Sequence, residues 1–189
     1  MASPVAHSFA GFWTFLCFHR EGGFSVLQNW RRFALQIGLL IFVANAADLD
    51  FLLSLYVRGN LNALHHGFTH SILFAAIVAV AFAAISPSAR SFFRSSLIYF
   101  AAYGSHLLID LVTSDRLGWN ARGSGLPLFW PSREEWGSPI ALFLGVQHKN
   151  FRALWEMQNA LASLYELLVC GAITAMVLIL RSKYEQNSQ

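Results

Sequence analysis

Five apolar runs, at residues 5–18, 33–57, 66–85, 92–113 and 161–180, decide what this chain can fold into. A chain of 189 residues is read as a single domain, residues 1–189. One soluble core of that size cannot hide five such runs. Hydrophobic residues make up 56% and charged residues 12%, against about 45–50% and about 25% in a soluble domain. With 17 Phe, 6 Trp and a mean hydropathy of +0.47, the surplus apolar surface calls for lipid. The expected fold is an all-α, polytopic membrane helical bundle of about four to five membrane helices with one long interfacial loop. The formal charge of +3 is spread too thinly for a nucleic-acid partner: no basic run exceeds Arg31-Arg32. The bilayer is the expected partner, and the residues point to no protein partner.

In chain order, residues 5–18 hold His7 and a few hydroxyls among apolar side chains. They lack the basic start and small-residue cleavage site of a secretory signal, and their length suits a partly inserted helix. A polar connection with Gly22-Gly23 then runs to Arg32. The run from Phe33 to Val57 exceeds what a ~30 Å hydrocarbon layer needs, and it contains Asn45, Asp48 and Asp50. The aspartates are expected near the far interface, at a break where one of them caps a second short helix. The third run, from His66 to Ile85, stops at Ser86-Pro87-Ser88; the fourth, Phe92 to Thr113, carries His106 and Asp110 near its end. Residues 114–153 contain Trp119, Trp130, Trp136 and three prolines, and read as an interface-hugging loop with a re-entrant piece at 138–147. The last run, Leu161 to Leu180, is interrupted by Glu166, read as paired with a helix neighbour or as a structural acid, and ends at Arg181 and Lys183. Tyr56, Tyr99 and Tyr103 are read with the tryptophans as interfacial anchors. Cys17 and Cys170 show no metal or redox spacing and are read as buried thiols.

If all five runs cross, the basic residues sort by side. Arg20, Arg31, Arg32, Arg90, Arg94, Arg181 and Lys183 share one face, in short loops and the tail; Arg58, Arg116, Arg122, Arg133, Lys149 and Arg152 share the other. Short loops and the tail weigh most, so the first face is expected to be cytoplasmic. His7, Asp48, Asp50, His65, His66, His70, His106 and Asp110 then all fall at the outer ends of their runs. Polar residues scattered by chance would not segregate in this way.

His106 and Asp110 stand four apart, as do His66 and His70, so on a helix each pair shares a face. A divalent ion needs nitrogen and oxygen donors converging at ~2.0–2.2 Å, and such pairs offer two from one rigid element. Asp48 and Asp50 add carboxylates able to bridge ions. A single histidine in such a place is more often hydrogen-bonded at the interface, but several histidines and three aspartates at matching depth favour a metal. His19, beside Arg20, and His148, beside Lys149, are weaker candidates, and Asp115 with Arg116 reads as a solvated helix end. No Gly-x-Ser-x-Gly elbow and no phosphate loop is present.

His7, Asp48-Leu-Asp50, His65-His66-Gly67-Phe68-Thr69-His70-Ser71, His106-Leu-Leu-Ile-Asp110 and Leu128-Phe-Trp-Pro131 together resemble the YdjM-type inner-membrane metal-dependent hydrolases of bacteria, associated in some members with the LexA-controlled DNA-damage response. The family usually has Arg where His66 stands, so the resemblance carries over to His65 and His70 and leaves His66 an extra donor. That family is in turn similar to the zinc-dependent phospholipase C and single-strand nuclease superfamily, whose His-x-x-x-Asp pair resembles His106 and Asp110 and whose isolated His and Asp resemble His7 and Asp48 or Asp50. The superfamily's later His-x-x-x-Glu pair has no counterpart, since Arg152 stands four residues after His148. The resemblance therefore implies one or two ions, zinc foremost, held among His7, Asp48, Asp50, His65, His70, His106 and Asp110.

The expected function is metal-dependent hydrolysis of a phosphoester, a phospholipid head group included, by a metal-activated water, with Asp48 or Asp50 as general base. Arg116, Arg122 and Lys149 are candidates to hold phosphate. The expected location is the bacterial inner membrane, multi-pass, with the site on the periplasmic side. The alternatives are a metal-ion or proton transporter, which would want such residues near mid-membrane, and a haem-binding electron carrier, which would pair histidines across helices without surplus aspartate.

Overall fold

The computed structural model describes residues 1–19, 23–58, 65, 67–85, 91–119, 125–147 and 155–187. Helix α1, Pro4–Phe18, starts where Ser3 caps it: the Ser3 Oγ accepts the Val5 N–H at 3.1 Å, and Pro4 fills a first-turn position that needs no donor. At its far end Arg181 donates to the carbonyls of Leu16 and His19, satisfying acceptors that the helix leaves open. Within the polar connection expected at 20–32, a short helix α2 forms at Gly23–Gln28.

Helix α3, Trp30–Asn45, ends where the Asn45 amide turns back to the Ile41 carbonyl at 2.8 Å, a local bond that competes with continuing the helix. A 3₁₀ turn, Ala46–Leu49, follows, and α4, Asp50–Arg58, starts on Asp50. The break falls at the aspartates, as expected. After a second 3₁₀ turn, Phe68–His70, come α5, Ile72–Ile85, and α6, Phe92–Leu111; α7 is Met157–Asn187. Two stretches, Trp30–Arg58 and Met157–Tyr184, are long and apolar enough to cross a membrane. That is fewer than the four to five expected: α1 and α5, with 15 and 14 residues, fall short of a ~20-residue span, and α6 carries Arg94, His106, Asp110 and several hydroxyls.

Helix α1 packs against α3, α6 and α7, while α5 lies on α6. Ala75, Ala79 and Ala83 form the buried stripe of α5, small enough for close approach to its neighbour. Gly11 is where α1 meets α3: a Cβ there would stand 2.7 Å from the Ile41 Cα and the Leu40 carbonyl oxygen. The core around these crossings holds Phe15, Leu16, Phe33, Leu40, Val43 and Tyr103.

The loop after α6 adds strand to the expected all-α fold. Strand β1, Thr113–Ser114, runs parallel to β4, Phe143–Leu144, and β2, Gly118–Trp119, pairs antiparallel with β3, Ile140–Ala141. The re-entrant piece expected at 138–147 is therefore extended chain. Its apolar residues alternate, Ala141 and Phe143 buried and Leu142 exposed, which is a strand's period. Trp119, Trp130 and Trp136 are exposed, as an interfacial loop requires. Two other readings need correction. Tyr99 and Tyr103 are buried rather than interfacial: they lie one turn apart on the α6 face that meets α5, against Phe82 and Phe74. Cys170 is buried, but Cys17 is exposed beside a groove between α1 and α6.

Candidate metal centre

His7 lies in the second turn of α1, Asp48 in the 3₁₀ turn after α3, His70 just before α5, and His106 with Asp110 in the last two turns of α6. Two helices begin and two end at one place, and their polar residues meet there. Ser71, whose hydroxyl accepts the Phe74 N–H at 3.2 Å, caps α5, and Leu128 of the Leu-Phe-Trp-Pro motif accepts the Ile72 N–H at 3.0 Å. Tyr103 donates to the Thr69 carbonyl at 2.8 Å and fixes the 3₁₀ turn from below. His70 lies in a 3₁₀ turn before α5 rather than on that helix, and its expected partner His66 lies outside the described residues.

Four side-chain atoms converge. His106 Nε2 lies 3.3 Å from His70 Nε2, 3.5 Å from Asp48 Oδ1 and 3.3 Å from Asp110 Oδ2. His70 Nε2 lies 3.7 Å from each of the same two oxygens. Bonds of ~2.0–2.1 Å at the tetrahedral angle place neighbouring zinc donors about 3.4 Å apart. The donor separations of 3.3–3.7 Å about His70 and His106 are near that spacing, and Asp48 with His70 and His106, and Asp110 with His7 and His106, each form a group able to hold a divalent ion.

The outer contacts orient the donors. His106 Nδ1 donates to the Ala44 carbonyl at 2.9 Å, which leaves its Nε2 lone pair facing the centre. His70 is held behind its ring by Asp50 Oδ2, 3.4 Å from Nδ1, and by the Thr69 hydroxyl, 3.1 Å from Nδ1 and donating to Asp50 at 2.8 Å. Asp48 and Asp50 thus take different places: Asp48 faces the centre and Asp50 backs His70. His65 sits beside Asp50 and His70, with Nδ1 at 2.9 Å from Asp50 Oδ1, its ring edge-on to that of His70 at 5.1 Å between centroids and stacked on Phe51, and the three form a further group able to hold an ion. His66, His148, Arg122 and Lys149 lie outside the described residues. Arg116 is exposed, and His19 packs on Phe15 and Phe33 away from the cluster.

His7, His106 and Asp110 are fully buried, and Asp48 keeps 13% of its side chain exposed. Among the described residues both ring nitrogens of His7, both oxygens of Asp48 and Asp110 Oδ2 have no hydrogen-bond partner. Buried carboxylates left bare cost several kcal/mol, and a cation is the partner that would satisfy them together. Burial opposes the protonation of His70, but the carboxylates of Asp48, Asp50 and Asp110 around its ring prevail and raise its pKa to about 9.

Glu166, read from sequence as paired with a helix neighbour or as a structural acid, is a structural acid: it accepts from the Ser3 N–H at 2.9 Å, the Ser3 hydroxyl and the Ala6 N–H at 3.3 Å, and so caps α1 just before His7. Ala2 N–H donates to Asp110 Oδ1 at 2.9 Å. A buried acid in an apolar run flags such a role, but its partners lie more than 150 residues away and only folding names them.

A predominantly helical protein with long apolar helices and a buried His/Asp cluster belongs among membrane proteins with a polar site built into the bundle. The chain matches the YdjM inner membrane protein family over residues 1–184 and belongs to it. No curated protein and no solved structure matches it.

Proposed function

We propose that this inner-membrane protein is a metal-dependent hydrolase of phosphoesters, with a phospholipid as the favoured substrate. The observation that carries the reading is the convergence of Asp48 and Asp110 on His70 and His106 at separations of 3.3–3.7 Å. These residues would hold the divalent ion, zinc foremost given two imidazoles and two carboxylates. When bound, the ion would supply Lewis-acid polarisation of a phosphoryl oxygen and a lowered pKa for water.

The remaining roles belong to the chain. Asp50 and Thr69 hold His70 in register, as the Ala44 carbonyl holds His106. Asp50, engaged by His65, Thr69 and His70, is a positioning residue in this reading. Asp48, at the partly exposed edge of the site, is a ligand carboxylate that would orient the incoming water. In this reading the α3–α4 stretch and α7 cross the bilayer, with Arg31, Arg32, Arg181 and Lys183 at their cytoplasmic ends, which puts the site toward the periplasmic side.

A lipid substrate is favoured by the groove between α1 and α6, the two helices that carry His7, His106 and Asp110. It has a volume of about 310 Å³ and is lined by Ala10, Trp13, Thr14, Ala101, Ser105 and Leu108. Its hydroxyls are spent within their own helices, Thr14 on the Ala10 carbonyl and Ser105 on that of Ala102, so it offers an apolar wall suited to an acyl chain. The test is hydrolysis of a chromogenic phosphodiester and of a head-group-labelled phospholipid by detergent-purified protein. Activity abolished by chelator and restored by zinc is expected; activity indifferent to chelator, or metal bound without turnover of either substrate, would refute the reading.

A further inference from the structure

The four-donor cage uses only one oxygen of each of Asp48 and Asp110. Their other oxygens turn the opposite way, toward His7. His7 Nε2 lies 3.5 Å from Asp110 Oδ1 and 4.0 Å from Asp48 Oδ2. Its ring is stacked on that of His106 at 3.7 Å between centroids, so this second trio adjoins the first cage. His7 is fully buried, and among the described residues neither its ring nitrogens nor the Asp48 oxygens have a hydrogen-bond partner. A structural histidine in a protein interior would spend at least one nitrogen on a partner. Asp110 Oδ1 accepts the Ala2 N–H at 2.9 Å, which uses one of its two lone pairs and leaves the other.

We infer that the cluster is a two-ion centre in which Asp48 and Asp110, rather than Asp48 and Asp50, are bridging carboxylates. The second ion is held by His7 Nε2, Asp48 Oδ2 and Asp110 Oδ1. The inference rests on the proposed metal site and adds to it the number of ions and their division of labour. The first ion has four protein donors and is closed. The second has three, the number that leaves a coordination position open to water or a phosphoryl oxygen. Asp48, the ligand with 13% of its side chain exposed, marks the side from which that position is reached.

The test is metal stoichiometry on folded protein in detergent, reconstituted with zinc and freed of excess, together with electron paramagnetic resonance of the protein loaded with manganese(II). Wild type is expected to hold two zinc per chain, and the manganese-loaded protein is expected to show the exchange-coupled signal of a carboxylate-bridged pair. His7→Ala is expected to hold one zinc and to give the signal of an isolated ion. One zinc in wild type would overturn the two-ion centre while leaving the metal site standing; no zinc would overturn both. Two uncoupled ions in wild type, or two zinc in folded His7→Ala, would overturn the bridging arrangement. The wild-type spectrum decides the question by itself if His7→Ala does not fold.

Discussion

Glu166→Ala tests how the fold presents His7 to the cluster. The carboxylate on α7 is fully buried and receives the Ser3 N–H, the Ser3 hydroxyl and the Ala6 N–H, all at the start of α1. Alanine leaves three buried donors without an acceptor and removes a charge placed at the positive end of a helix. Each unsatisfied donor costs about 1–3 kcal/mol, and relaxation of the first turn recovers part of that, so a loss of about 4 kcal/mol is expected. The assay is denaturant unfolding in mixed micelles for wild type, Glu166→Ala, Ser3→Ala and the double variant. Ser3→Ala removes the hydroxyl bond to Glu166 and the cap on the Val5 N–H, of which only the first depends on Glu166, so the cycle should show a coupling of about 1–2 kcal/mol. His7 follows Ala6 directly and lies one turn beyond Ser3, so zinc affinity should fall with stability. A Glu166→Ala protein within about 0.5 kcal/mol of wild type, or additive effects in the cycle, would refute the reasoning.

Three further outcomes follow from the same geometry. Gly11→Ala places a Cβ 2.7 Å from α3 backbone atoms that cannot rotate away, so α1 and α3 must separate; a loss of about 1–3 kcal/mol is expected in the same unfolding assay. Thr69→Val removes the hydroxyl that ties Asp50 to His70, and zinc affinity measured by competition with a chromophoric chelator should fall roughly 10–100-fold with the protein still folded. In metal-free protein His70 has a folded pKa raised to about 9 against 6.5 unfolded. Its contribution to stability is therefore complete below pH 6.5 and is lost as pH rises through about 9, a change on the order of 3 kcal/mol that His70→Ala should abolish.

The centre was legible where one element carries two donors. His106 and Asp110, four apart on α6, could be paired from spacing, and the depth of His7, Asp48 and His70 placed them at the same end of the bundle. The division between Asp48 and Asp50 was not legible. They are two residues apart across the junction of a 3₁₀ turn and a helix, which side each faces depends on that turn's pitch, and the structure sets Asp48 toward the centre and Asp50 behind His70. His65 and His70 look equivalent in sequence, yet His70 faces Asp48, Asp110 and His106 while His65 sits beside Asp50 and His70. The capping of α1 by Glu166 lay beyond any local pattern because Ser3 is 163 residues away. Tyr103 misled for a different reason: tyrosine suits both a membrane interface and a buried site with one acceptor, and the Thr69 carbonyl decides for the second.

The central claim is that His70, His106, Asp48 and Asp110 form a metal cage. Equilibrium zinc binding to detergent-purified wild type and His106→Ala tests it most directly. The account predicts tight binding by wild type that His106→Ala loses while keeping its helical content, because the cage loses a donor that is 3.3–3.5 Å from the other three. Equal zinc affinity in the two proteins would contradict it.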